Sequence, residues 1–175
     1  MRVRIELFSQ EHLPETLRWM NDADIVEKLD MGEGYVSEEQ CREWFLPSPE
    51  NAYCCTFAIL TPQGKHVGNC GLLDIDPRRK KAKVWILVGE SCERGKGFGS
   101  DAMRLLCEYA FEELGLHKVW LYCLAENVAG CRMYTSVGFV HEGVMRDDTC
   151  IDGRYRDSVC YGMLRTDGPR PPTLH

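Results

Sequence analysis

Hydrophobic positions change their period several times along the chain, and each change marks an element. Val3 to Phe8 reads as a strand, and from Glu11 to Asp22 the apolar residues Leu13, Leu17 and Met20 recur at helical spacing. Ser37 precedes Glu38, Glu39 and Gln40 and then Cys41, Trp44 and Phe45. That is a capping-box start with an apolar face behind it, and it predicts a short second helix. Tyr53 to Leu60, Val67 to Asp74 and Ala82 to Gly89 are rich in β-branched and aromatic residues, and Thr61-Pro62-Gln63-Gly64 carries turn chemistry between the first two. Three consecutive antiparallel strands are predicted there.

From Gly99 to Leu114 the residues Ala102, Leu105, Leu106, Tyr109, Ala110, Phe111 and Leu114 form one apolar stripe, with Asp101, Arg104, Glu108 and Glu112 on the other face. Gly115 ends this helix. Lys118 to Leu124 alternates as a strand, and a helix from about Asn127 to Ser136 follows, terminated by Gly138. Phe139 to Cys150 and Tyr155 to Leu164 flank Asp152-Gly153, a hairpin turn signal. The order β-α-α-β-β-β-α-β-α-β-β predicts one α+β domain over residues 1–167, a mixed and mostly antiparallel sheet of about seven strands with about four helices. The tail 168–175, with Gly168, Pro169, Pro171 and Pro172, is predicted to fray.

The 175 residues carry a net charge of −6, which argues against nucleic-acid binding, since that needs clustered cations to displace counterions. A neutral or cationic partner fits better. The longest apolar runs, such as Val84 to Val88, fall far short of the ~20 residues needed to cross a bilayer. Met1-Arg2-Val3-Arg4 leads into polar residues with no apolar core of a signal peptide, so no membrane association is expected. Ten cysteines include no C-x-x-C pair, and the five histidines are scattered singly. Free buried thiols and no metal site are expected.

Between the strand ending at Gly89 and the long helix lies Arg94-Gly95-Lys96-Gly97-Phe98-Gly99, three alternating glycines at a helix N-terminus. Backbone N–H groups converge in such a segment, and the helix dipole adds attraction, so a phosphate or pyrophosphate is the expected guest. Gly97 follows Lys96 where a P-loop needs Ser or Thr, and Ser100 stands where a dinucleotide fingerprint needs Gly or Ala. The segment also begins like an RNA-recognition octamer, but Ser100-Asp101-Ala102-Met103 lacks the required aromatic residues.

R-x-x-G-x-G opening a helix after a strand resembles the acetyl-CoA pyrophosphate loop of the GNAT superfamily of N-acetyltransferases. Asn127, then Tyr134 seven residues later, then Gly138-Phe139 resemble that family's second signature. Glu142-Gly143 and Gly153-Arg154-Tyr155-Arg156-Asp157 resemble the closing hairpin of the RimJ/RimL-like branch and of spermidine N-acetyltransferases. The resemblance covers roughly residues 3 to 165. It implies the GNAT fold, acetyl-CoA as co-substrate, transfer of its acetyl group to a primary amine, and a cytoplasmic location.

The resemblance also distributes roles. Tyr134 matches the position whose phenol faces the thioester sulfur, and a phenol with a pKa near 10 is able to protonate a departing thiolate as general acid. Arg94, Gly95, Lys96, Gly97, Phe98, Gly99 and Ser100 would hold the pyrophosphate, with Arg94 and Lys96 adding charge to the amide cradle. Leu87 and Val88 would offer backbone groups to the pantetheine arm in the manner of an added strand. Asn127 matches a CoA-contacting asparagine, and it serves equally as an N-cap. Glu90 and Glu126 are candidates for the general base, which stays unassigned.

The segment from Asp22 to Glu50 holds nine acidic residues, Glu33 among them, against Lys28 and Arg42. In the family this region walls the acceptor groove, so a negative wall that includes Glu33 and Glu90 would steer a polycation inward, and a polyamine such as spermidine is the leading acceptor. A solvated acidic face is the competing reading. Trp19, Tyr35 and Trp44 are candidates to line an apolar part of the groove. A protein N-terminus, an amino sugar or an aminoglycoside remains open as acceptor, as does a non-catalytic acyl-CoA sensor. Homo-oligomers are common in the resembling branches, but the sequence alone identifies no exposed apolar stripe that would make one.

Overall fold

The computed structural model describes residues 1–29, 35–48, 52–151 and 153–171. Seven strands form one sheet in the order β1-β2-β3-β4-β5-β7-β6. They are β1 (Arg4–Leu7), β2 (Cys55–Leu60), β3 (His66–Asp76), β4 (Lys81–Val88), β5 (Lys118–Leu124), β6 (Val140–Ile151) and β7 (Arg154–Leu164). All neighbours pair antiparallel except β4 and β5. The helices are α1 (Leu13–Met20), α2 (Ala23–Leu29), α3 (Glu38–Phe45), α4 (Phe98–Glu108) and α5 (Val128–Val137).

Alternation along β2 shows how both faces of the sheet are covered. Phe57 and Ile59 pack in a core with Ala102, Met103 and Leu106 of α4 and with Val137 of α5. Ala58 and Leu60 pack in a second core with Leu13, Trp19 and Met20 of α1 and with Cys41 and Phe45 of α3. Successive side chains of a strand point to opposite faces, so a strand buried on both carries no polar alternation. The Leu106 side chain is fully buried, and its truncation to Ala would cost about 2–5 kcal/mol.

Local signals act as read from the sequence at most element ends. Ser37 accepts from Gln40 N–H at 3.2 Å while Gln40 Oε1 accepts from Ser37 N–H at 2.9 Å, closing the capping box of α3. α4 continues as a π-helical turn over Tyr109–Glu113 and stops before Gly115, whose φ of +61° favours glycine.

Four expectations differ from the structure. α2 is a fifth helix, nucleated by Asp22, whose side chain accepts from Asp24 N–H at 3.0 Å and whose carbonyl accepts from Ile25 and Val26. Asp101 and Arg104, read as polar-face residues of α4, are buried, because both ends of the chain cover that face. Arg2 N–H donates to Asp101 at 2.8 Å, and Arg104 Nε donates to the Arg170 carbonyl at 2.6 Å. The segment expected to fray is therefore held as far as Arg170, whose N–H also donates to the Val137 carbonyl. All ten cysteines are free thiols, but Cys92 and Cys150 are exposed rather than buried. Glu33 and Asp152 lie outside the described residues.

Candidate active site

The parallel pairing of β4 with β5 covers only Lys81–Lys83 against Lys118–Trp120. Beyond those residues β4 stays with β3 as far as Val88, and β5 stays with β7 as far as Leu124. The two strands therefore part, and a cleft of about 490 Å³ lies between the end of β4 and α5, the helix that follows β5. Ile86, Leu87 and Val88 form one wall. Asn127, Met133 and Tyr134 of α5 form the other, and the glycine segment closes one end. Ile25 of α2 also reaches the cleft.

Gly89 N–H donates to the Val67 carbonyl at 3.0 Å, which sets the alternation of the β3–β4 ladder. In that register Leu87 directs its peptide groups at β3, whereas Ile86 and Val88 turn theirs toward the gap. Of the two residues named from the sequence, Val88 therefore turns its peptide plane toward the gap and Leu87 does not, while Ile86 shares the orientation of Val88. Only a count of the β3–β4 register reveals this parity. The resulting half-strand edge is able to pair with an extended amide-bearing chain.

At the glycine end, Gly97 is the N-cap of α4 with φ +85°, and Gly95 has φ +76°. No side chain caps this helix, so the N–H groups of its first turn, from Phe98 to Ser100, are directed at any anion placed there. A Cβ on Gly99 would meet Val88 Cγ2 at 3.4 Å on the cleft floor. The cradle thus suits a pyrophosphate whose carrier runs along β4.

The cations are already engaged. Arg94 Nε donates to the Val88 carbonyl at 3.1 Å and its Nη2 to the Gly89 carbonyl at 3.3 Å, which pins the loop to the end of β4. Lys96 and Lys65 both donate to Glu93, at 2.8 and 3.0 Å, and these two bonds hold the Glu93 carboxyl below its usual value. The trio keeps one net positive charge beside the loop. Arg2, overlooked in the sequence because it lies far from the motif, donates through its guanidinium to the Lys96 carbonyl at 3.2 Å.

Tyr134 is buried against Phe139 and Tyr161, and its hydroxyl makes no hydrogen bond to any described residue. Burial, followed by the nearby Cys123 and Cys131 thiols, pushes the phenol well above its ordinary value, so it stays protonated. Asn127 is the N-cap of α5: its Oδ1 accepts from Gly130 N–H at 2.9 Å while the residue also lines the cleft.

The two candidate carboxylates are not free. Glu90 accepts from Arg18 and, at 3.1 Å, from Trp19 Nε1. Burial alone would raise the Glu90 carboxyl, but the bonds from Arg18 and Trp19 outweigh it and hold the group below its usual value. Glu126 is exposed and paired with Arg156. Of the aromatic candidates, Trp19 is fully buried in the second core, whereas Tyr35 and Trp44 are exposed. Among the described residues no cluster of three or more His, Cys, Asp or Glu is placed to hold a metal, and no helix is long and apolar enough to cross a membrane.

Comparison with known proteins agrees with this geometry. The family model described as "Acetyltransferase (GNAT) domain" matches residues 2–140. A spermidine N(1)-acetyltransferase of Vibrio cholerae is 31% identical over 101 residues, and the match spans 58% of this chain and 58% of that protein. The putative ribosomal N-acetyltransferase YdaF of Bacillus subtilis is 30% identical over 142 residues, spanning 79% of this chain and 77% of that protein. The crystal structure of the Vibrio cholerae spermidine N-acetyltransferase in complex with CoA and spermine superposes with a TM-score of 0.87 at 23% identity, covering 95% of this chain and 97% of that one.

Proposed function

The chain belongs to the GNAT acetyltransferase family, and from that premise we propose that it transfers the acetyl group of acetyl-CoA to a primary amine, with a polyamine such as spermidine as the leading acceptor. The divergence of β4 from β5 after Lys83 and Trp120 carries the reading, because it sets a free strand edge, an anion cradle and a protonated phenol around one cleft.

In this reading acetyl-CoA supplies the activated acyl group. The first-turn amides of α4, with Gly95 and Gly97 shaping the approach, hold the pyrophosphate, and Lys96 and Arg2 add positive charge beside it. The peptide groups of Ile86 and the N–H of Val88 align the pantetheine arm, the Val88 carbonyl being held by Arg94. Tyr134 gives its proton to the departing thiolate, and the raised pKa keeps that proton in place until the thiolate forms. Glu90 Oε1 accepts from both Arg18 and Trp19 and so ties the end of β4 to α1, and its lowered pKa makes the carboxylate a weak acceptor for the amine proton.

The polyamine reading is supported by the named substrate of the Vibrio relative and by the place of Ile25, a member of the acidic segment 22–50, in the cleft lining. Asp22, Asp24, Glu38 and Glu39 belong to that segment, though Glu38 is paired with Arg42 at 2.7 Å. The match to YdaF favours a second acceptor, the N-terminal amine of a protein. A panel of spermidine, spermine, aminoglycosides, amino sugars and short N-terminal peptides, incubated with acetyl-CoA and read by mass spectrometry, separates the two. Turnover of polyamines is expected. Turnover confined to peptides replaces the polyamine reading with the second, and binding of acetyl-CoA without turnover of any amine removes both.

A further inference from the structure

A second pocket, of about 410 Å³, lies on another face of α5, lined by Cys131, Arg132, Thr135, Ser136, Tyr161 and Arg170. Its Cys131 Sγ is 3.7 Å from the Sγ of Cys123 on β5, the one sulfur–sulfur hydrogen bond among the described residues. Neither Arg132 nor Arg170 meets a carboxylate among the described residues, although acids outnumber bases in this chain. A thiol pair thus sits beside two guanidinium groups that meet no described carboxylate. Burial, reinforced by Cys131, pushes the Cys123 thiol up to about 12. Cys123 therefore waits as a thiol, and Cys131 is the sulfur that a solute in the pocket meets first.

We propose that this pocket is a dithiol exchange site for a small anionic disulfide, whose carboxylates are drawn in by Arg132 and Arg170 and whose oxidation is taken up by Cys131 and Cys123. Cys131 gives its proton to solvent, and the thiolate attacks one sulfur of the disulfide RS–SR. The S–S bond breaks, a mixed disulfide forms on Cys131, and RS⁻ leaves and is protonated to RSH. Cys123 then gives up its proton and attacks the Cys131 sulfur, expelling the second RS⁻, which leaves as RSH. The protein loses two electrons and the small disulfide gains two. The product bond ties β5 to the helix that carries Tyr134 and Asn127. Among the described residues no other two sulfurs are in hydrogen-bond contact, so none of the remaining eight cysteines offers a paired thiol.

The site does not depend on the acetyl-transfer reading, and its test needs no turnover. The full chain is incubated with oxidised glutathione or with uncharged hydroxyethyl disulfide, remaining thiols are alkylated, and the products are mapped by peptide mass spectrometry. Oxidised glutathione should give a Cys123–Cys131 disulfide as the first product, and Cys123→Ser should trap one glutathione on Cys131. Arg170 is held by its backbone groups, so the double variant Arg132→Ala/Arg170→Ala keeps those bonds. It should slow the reaction with oxidised glutathione about fivefold and leave the uncharged disulfide unaffected. Glutathione appearing on Cys92 or Cys150 while Cys131 of Cys123→Ser stays unmodified overturns the site. Equal rates for the parent and the double variant overturn the role of the arginines. Cys123→Ala replaces the serine variant if circular dichroism shows that the latter fails to fold.

Discussion

The indole Nε1–H of Trp19 donates to Glu90 Oε1 at 3.1 Å, joining the buried end of α1 to the residue that follows β4. Trp19 is fully buried, and a Cβ on Gly89 would collide with its ring, so helix, strand end and carboxylate are fitted to one another. Arg18 donates to the same oxygen.

Replacing Glu90 by Gln keeps an acceptor for Trp19 but removes the charge that Arg18 meets. A loss of about 0.5–1 kcal/mol at neutral pH is expected, small because Arg18 is half exposed. The folded pKa lies below the ordinary 4.5, so the carboxylate contributes fully above about pH 4.5 and the contribution is lost as pH falls through the folded value. Thermal unfolding of both proteins from pH 7 downward should show the gap in Tm closing over that window. A gap that stays constant to the acid limit of folding would show that charge is not what stabilises the arrangement.

Tyr134→Phe removes a hydroxyl in the α5 wall of the cleft that makes no hydrogen bond to any described residue. The turnover number should fall about 10²-fold or more, while the dissociation constant for CoA stays within twofold. The same burial that raises the phenol pKa gives a pH prediction. The active form is the protonated one, so the parent's turnover should show no descending limb at the ordinary phenol value near pH 10. A limb there, absent from another slow variant, would mean that the phenol titrates normally.

Much of this arrangement was legible in the chain because its signals are local. β5 runs over the residues where alternation placed it, and α5 begins at Asn127 and ends at Gly138 because a cap and a left-handed glycine are chemistry of single positions. α2 is not legible in the chain because Asp22 fits the end of α1, although an aspartate that caps the next turn is also a start. The divergence of β4 and β5 was not legible, since nothing within Val84–Val88 says which neighbour those residues lose. The contacts Trp19–Glu90, Arg2–Lys96 and Arg104–Arg170 are separated by 66 to 94 positions, and no window along the chain contains both members.

Gly95 and Gly97 separate strain from crowding at the anion cradle. Both have φ near +80°, so an alanine at either costs about 1–2 kcal/mol. Nothing lies within 4 Å of a Cβ on Gly95, whereas a Cβ on Gly97 would displace the Arg2 guanidinium from the Lys96 carbonyl. Urea unfolding should therefore report similar losses for Gly95→Ala and Gly97→Ala. Calorimetric titration with CoA should report a dissociation constant for Gly97→Ala about tenfold above that of Gly95→Ala, a difference of about 1.4 kcal/mol. Equal affinities would remove Arg2 from the cradle.

One turn into α4, Arg104 Nη1 donates to Asp101 Oδ1 at 3.1 Å, with the two side chains 6% and 2% exposed. A buried pair gains little over apolar residues of similar size, but a survivor left alone is costly. Among the described residues Arg104→Met leaves the Asp101 carboxylate with the Arg2 N–H alone and frees the Arg170 carbonyl, so a loss of about 3 kcal/mol or more is expected by urea unfolding. Arg104→Met/Asp101→Leu removes both charges and should recover part of that loss. It also removes the acceptor that anchors Arg2, so its CoA affinity should remain below the parent's while its stability improves on the single variant. Recovery of stability without loss of affinity would show that the pair serves the fold alone. Loss of affinity alongside that recovery would make the Asp101–Arg2 bond the link between the buried pair and the cradle.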